Sequence, residues 1–211
     1  MKGKLLTRGT RLTALVALLS FAAQAESLID GDAEAGKAKS ITCAACHGTD
    51  GNSVNPEWPN LAGQGAPYLY VQLKAFKEGE RVNALMSSQA MLLSDQDMRD
   101  LAVYYAGLEL ARQTVADPKL VARAEALYRG GNLETDASAC SACHGPSGKG
   151  NPAAGYPALS GQHATYTAMQ LRAYASGERQ SLQVSKMMNT IAARLSEEEI
   201  VALASYVQGL R

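Results

Sequence analysis

Cysteine is scarce in this chain, with four among 211 residues, and histidine is scarcer, with three. Apolar residues make up 46% of the chain, so a core can form without a disulfide scaffold. A long hydrophobic run is also missing. The most apolar stretch, Leu12 to Ala23, is about twelve residues, well short of the roughly twenty that span a bilayer. Excess basic charge is absent too: the formal net charge is zero. The first 25 residues hold Lys2, Lys4, Arg8 and Arg11 and no acid, so the remainder has 16 basic against 20 acidic residues. A net of −4 there speaks against a nucleic-acid partner, which would need a basic face. Finally, no segment alternates convincingly between apolar and polar residues, so strands are not expected.

The N-terminus is identified as an export signal. Its basic start precedes the apolar run and then Ala23-Gln24-Ala25, a small-x-small site with cleavage expected before Glu26. The mature chain is therefore expected to be soluble and to work outside the cytoplasm.

The four cysteines occur only as "CAACHG" (43–48) and "CSACHG" (140–145), ninety-seven residues apart. The rest of the chain repeats with them. "WPNLAGQ" (58–64) matches "YPALSGQ" (156–162), and "YLYVQLKAFKEGER" (68–81) matches "YTAMQLRAYASGER" (166–179), both at an offset of 98. "LSDQDMRDLAVYYAGL" (93–108) matches "LSEEEIVALASYVQGL" (195–210) at an offset of 102. Two homologous domains are expected, 26–113 and 119–211, after a signal peptide at 1–25 and joined by a linker at 114–118.

Each half is expected to be all-α. Helical periodicity runs through "APYLYVQLKAFKEG" and its partner, and the last helix of each half opens on a capping box, Ser94 with Asp97 and Ser196 with Glu199. Some ninety residues with so much loop leave a thin core, which calls for something large and apolar to pack around.

The cysteine motifs answer that need. A bridge within C-x-x-C closes a very tight loop, better suited to a redox dithiol than to a structural staple, and thioredoxin-like proteins place the motif in a βαβ context that this chain lacks. C-x-x-C-H is the attachment site of c-type haem: two thiols bind neighbouring corners of the porphyrin, and the next residue meets the iron. Cys43, Cys46, Cys140 and Cys143 would then hold two covalent haem c groups, with His47 and His144 as axial ligands. A Cys₄ zinc site with one pair from each half is the competing reading. It leaves both histidines without a role.

The repeat also singles out the other axial ligands. Aligned on the last helix, Met91 faces Ala193, Met98 faces Ile200, and Met187 faces Leu85. Only Met86 and Met188 coincide, each eight residues before its capping serine, and they are the candidate sixth ligands. Methionine in a helical protein is more often core filler, so it is the coincidence that carries the assignment. Pro59 and Pro157 follow the two histidines by twelve and thirteen residues and are candidate carbonyl acceptors for the second ring N–H. His163 has no counterpart in the repeat and is expected on the surface or in a loop.

Taken together, "CAACHG", "DGNS", "WPNLAGQ", "YLYVQLKAFKEGER" and "LSDQDMRDLAVYYA" in the first half, with "CSACHGPSGKGN", "YPALSGQHATY" and "LSEEEIVALASYVQGL" in the second, make the chain similar to the dihaem cytochrome c4 family over its whole mature length. That resemblance implies a tandem repeat of two class I cytochrome c domains and His–Met ligation at both irons. It also implies a periplasmic location and single-electron transfer from a respiratory donor to a terminal oxidase, with no bond chemistry by the protein. Peripheral association with a membrane is left open. Two rivals share the motifs: a cytochrome subunit docked to another periplasmic dehydrogenase, such as a sulfide-oxidising one, and a dihaem peroxidase, which would need one iron with a vacant or displaceable ligand. "GGNLETDASAC" before Cys140 is longer than its counterpart before Cys43, and nothing is carried over there. Charge is uneven as well. Residues 26–113 hold twelve acids against seven bases, and residues 119–211 hold seven against nine, so a basic partner would meet the first half first.

Overall fold

Helices follow one another in the same order in both halves of the chain. The structure, a computed structural model, describes residues 28–179 and 183–211. The expected export signal at 1–25 lies outside these residues. Helix α1 (Ala33–Lys39) starts at Asp32, whose carboxylate accepts from the amides of Glu34 at 2.8 Å and Ala35 at 3.2 Å. A side-chain oxygen at this position satisfies amides that the first helical turn leaves unpaired. Helix α2 (Ala44–His47) is one turn inside the first cysteine motif. Helix α3 (Ala66–Glu78) has Pro67 in its first turn and stops at Gly79, in the left-handed region at φ 77°. Helix α4 (Ala84–Met91) is capped by Asn83, whose side chain accepts from the amide of Met86 at 3.0 Å. Helix α5 (Asp95–Ala106) opens on the Ser94–Asp97 capping box.

The second half repeats the series with α6 (Val121–Gly130), α7 (Ser141–His144), α8 (Ala164–Ser176), α9 (Gln183–Ala192) and α10 (Glu197–Gly209). Its last helix opens on the Ser196–Glu199 box, and α8 stops at Gly177, the counterpart of Gly79. Among the described residues there is no strand, only the isolated bridges Asn132–Ala137 and Asn151–Tyr156. The longer loop before Cys140 is closed by the first of these.

In each half the first helix crosses the last. In the first, α1 passes so close to α5 that a Cβ added at Gly36 would lie 2.1 Å from the Asp100 carbonyl oxygen. In the second, α6 meets α10 through Ala124, which is fully buried with Ala202, Leu203 and Tyr206. The cores are small. The first gathers Leu69, Leu101, Ala102 and Tyr105, and its outer layer includes Cys43. The connecting residues do not behave as a free tether. The amides of Ala116 and Asp117 donate to the carbonyl and hydroxyl of Ser205, at 3.4 and 2.7 Å, and Gln208 donates to the Thr114 carbonyl at 2.9 Å. The connection is thus laid along α10.

The α1–α5 crossing carries a pH prediction. Asp97 accepts from the Ser94 amide at 2.9 Å and pairs with Lys39 of α1 at 2.9 Å, and these contacts hold its carboxyl at about 2. Its folded value lies below its ordinary 3.8, so its contribution is complete above the ordinary value and lost as pH falls toward about 2. Asp97→Asn should therefore lower the thermal midpoint of the first half at neutral pH, and the gap to wild type should close as pH falls below about 4. Melting curves across that range test it; a gap that stays constant would refute it.

Candidate functional site

Each cysteine motif folds into a single helical turn for a local reason. The His47 and His144 amides donate to the Cys43 and Cys140 carbonyls, both at 2.9 Å, which brings the histidine back over the first cysteine. Both histidines are buried. His47 Nδ1 donates to the Pro59 carbonyl at 2.9 Å, and His144 Nδ1 to the Pro157 carbonyl at 2.9 Å. A carbonyl can only accept, so Nδ1 carries the proton and Nε2 keeps its lone pair for a metal. Burial lowers the pKa of both rings, against a smaller upward pull from the carbonyls. At neutral pH both are therefore neutral imidazoles, the form that ligates.

Both motifs open onto one cavity of about 1290 Å³. That exceeds the ~300–1,000 Å³ of a pocket for one ligand, so there is room for more than one group. Its wall includes all four cysteines, both histidines, Met86 on α4 and Met188 on α9. The two methionines are half-buried. Met91 and Met98 are not in the wall; Met91 is 61% exposed and Met98 is buried in the α5 core. Met169 and Met187 also reach the wall, yet each is 43% exposed. The sequence reading did not place these two there.

The Cys140 thiol does not suit a redox dithiol. Cys140 is only half-buried as a residue, but its sulfur is turned inward, and burial pushes the thiol up to about 11. A reactive C-x-x-C cysteine has its pKa lowered instead. Nor are the four sulfurs gathered into a single metal site: among the described residues no group of three or more His, Cys, Asp or Glu side chains could hold an ion.

Where the halves meet, repeat-equivalent residues face each other. Gln64 donates to the Ala158 carbonyl at 2.9 Å and accepts from its amide at 2.8 Å. Gln162 and Asn60, each 98 residues away, make the same pair at 3.0 and 2.9 Å. Two arginines extend the pattern. Arg81 donates to Gln72 at 2.7 Å in its own half, and to Tyr166 at 3.1 Å and Gln170 at 2.8 Å in the other. Arg179 mirrors it, donating to Gln170 at 2.7 Å, Tyr68 at 2.8 Å and Gln72 at 2.8 Å. Arg81 lies over the Phe76 ring and Arg179 over the Tyr174 ring, another equivalent pair.

All these partners are neutral, and both guanidinium groups line the cavity. Burial pushes the Tyr166 phenol up, but the two arginines more than reverse this and hold it below its ordinary value. Arg179 is buried and Arg81 half-buried, and charge placed this way with only neutral partners is costly, so this wall suits anions. The carboxylates of two haems would supply them, and the donor set fits that group. The sequence held the signal, since Arg81 and Arg179 close the matched "GER" segments, but alignment alone gives no sign of their charge environment.

His163 lies in the loop just before α8, as its sequence position suggests, and it also has a partner there. It is half-buried, and its Nε2 donates to the Ser53 carbonyl at 2.8 Å in the other half. Ser53 in turn donates to the Cys46 carbonyl at 2.8 Å. The contact crosses 110 residues of sequence and has no counterpart in the repeat, so no pattern announced it.

The cytochrome c family model matches residues 33–109 and again 123–211. A cytochrome c4 of Pseudomonas aeruginosa is 49% identical, over 85% of this chain and 89% of its own length. A thiosulfate dehydrogenase electron acceptor of Thiomonas intermedia is 36% identical, over 80% of this chain and 78% of its own. Among solved structures, reduced recombinant cytochrome c4 from Pseudomonas stutzeri superposes with a TM-score of 0.83 at 44% identity, covering 86% of this chain and all of that one.

Proposed function

This chain belongs to the dihaem cytochrome c4 family, an electron carrier rather than an enzyme, and on that footing we propose that it delivers single electrons to a terminal oxidase in the periplasm. Haem, when bound, would supply one-electron chemistry. The protein's own residues hold and tune it. Cys43 and Cys46, then Cys140 and Cys143, would anchor the two groups by thioether bonds. His47 and His144, with ring orientation fixed by the Pro59 and Pro157 carbonyls, would offer Nε2 to the iron. Met86 and Met188, in the same cavity wall, would supply a thioether to each group, a ligand that raises the potential and would leave no position free for a substrate. Arg81 and Arg179, at the seam between the halves, would offset the negative charge of the groups' carboxylates.

One observation carries this reading: two buried, carbonyl-locked histidines and two repeat-equivalent methionines share one cavity wall. The location is supported by the N-terminal sequence. No helix among the described residues is long and apolar enough to cross a membrane. Reduced protein mixed with oxidase-containing membranes should be reoxidised with oxygen uptake that cyanide stops. Protein that stays reduced would remove the oxidase from the proposal.

A second reading has its own support. The Thiomonas relative is an electron acceptor of thiosulfate dehydrogenase, and part of a thiosulfate dehydrogenase from Marichromatium purpuratum superposes with a TM-score of 0.75 at 33% identity. In that case the donor is a periplasmic dehydrogenase. Co-purification with a dehydrogenase from the native source, and reduction by it, would select this reading.

A further inference from the structure

The two halves use one tyrosine differently. Gly36 of α1 lies against Asp100 and Tyr104 of α5, while Ala124 of α6 is buried with Ala202 and Tyr206 of α10. Asp100 and Ala202 are 102 residues apart, as are Tyr104 and Tyr206, so Gly36 and Ala124 are structural counterparts. One turn further on, the counterparts are Ser40 and Tyr128. On the last helices they are Tyr105 and Val207. Each half thus sets one phenol near its first motif cysteine, but from opposite helices: Tyr105 near Cys43, and Tyr128 near Cys140.

The hydroxyls are not equivalent. Tyr128 is fully buried and donates to the Gly145 carbonyl at 2.7 Å. It is absent from the cavity wall, where Val207 takes part instead. Tyr105 is 4% exposed and lines the cavity, and its enclosed hydroxyl makes no well-formed hydrogen bond among the described residues, with only Cys43 and Ser40 as close polar neighbours. A buried hydroxyl left unpaired is costly, and this one stands beside Cys43, the residue that would carry the prosthetic group.

We propose that Tyr105 tunes the first haem site and not the second: its hydroxyl donates toward the haem group carried on Cys43 and favours the reduced state there. The second site lacks this donor because Tyr128 is committed to Gly145. The sign follows from charge. A donor turns its positive end toward its acceptor, and the reduced group carries one more electron. The inference rests on reading Cys43 and Cys46 as a haem attachment, so haem content is measured by mass first. A missing haem would defeat that reading, and a result at full haem content judges Tyr105 alone.

Tyr105→Phe keeps the ring and removes only the hydroxyl. A redox titration followed by NMR reads each haem through its own methyl signals. At a fixed potential the reduced-to-oxidised ratio at the first haem should fall about threefold to tenfold, tenfold being about 59 mV for a one-electron couple. The second haem should not move. Placing 3-fluorotyrosine at position 105, a more acidic phenol and stronger donor, should shift the first haem the opposite way. A role in packing alone predicts no such reversal. An unmoved first haem in both variants, or equal shifts at both haems, would overturn the proposal.

Discussion

Replacing Cys140 and Cys143 by Ala should leave one covalent haem where wild type has two, read directly as the loss of one haem mass from the intact protein. The structural consequence should be as large. In the second half the buried set around Ala124, Tyr128 and Leu203 is small, and Cys140, Leu171 and Leu195 border it. Cys140, Cys143, Leu171, Leu195 and Leu203 also line the cavity, so their cavity-facing surface depends on the bound group for cover. Exposed apolar area costs about 25 cal/mol per Å². Removing the group should open several hundred Å² and destabilise this half by several kcal/mol, comparable to the whole stability of a small domain. Limited proteolysis should then cut residues 119–211 and spare the first half. Two haems retained in the double variant would show that the motif is not the attachment point.

Met86→Ala and Met188→Ala should each remove about half of the weak near-infrared band that reports sulfur bound to ferric iron. Each should also lower the potential of its own haem, because the thioether is the ligand that raises it. Met91→Ala and Met98→Ala should leave the band intact, since neither side chain lines the cavity. Met187→Ala is the sharper control. Its side chain reaches the wall and it adjoins Met188, but its repeat counterpart is Leu85, so the band should survive. Loss of the band on changing Met187 or Met169 would move the ligand.

Much of this was legible in the sequence because the chain states it twice. The capping boxes at Ser94 and Ser196 are local signals and form as expected, since a serine and an acid three residues on satisfy each other's backbone amides wherever a helix starts. The helical class follows from periodicity in the same local way. What was illegible depends on distant contact. His163 looked idle because its partner, the Ser53 carbonyl, is backbone and leaves no mark on residue identity. The polar residues near 114–117 looked like a tether, yet they find Ser205 and Gln208 on α10. The arginines were visible as letters in the repeat. Their lack of acidic partners is a property of three dimensions. The same holds for Tyr105 and Tyr128, whose equivalence appears only once Gly36 and Ala124 are seen against the same part of the last helix.

The central claim is that both irons are closed by the protein, which makes the chain a carrier. Carbon monoxide added to the fully reduced wild-type protein at neutral pH tests it most directly, because the gas binds ferrous haem only where a sixth position is open or easily vacated. The predicted result is a reduced spectrum that does not change, with peroxide turnover negligible beside oxidation by an electron acceptor. Rapid binding at half of the haem would contradict it and place a peroxidase-like open site in one of the two halves.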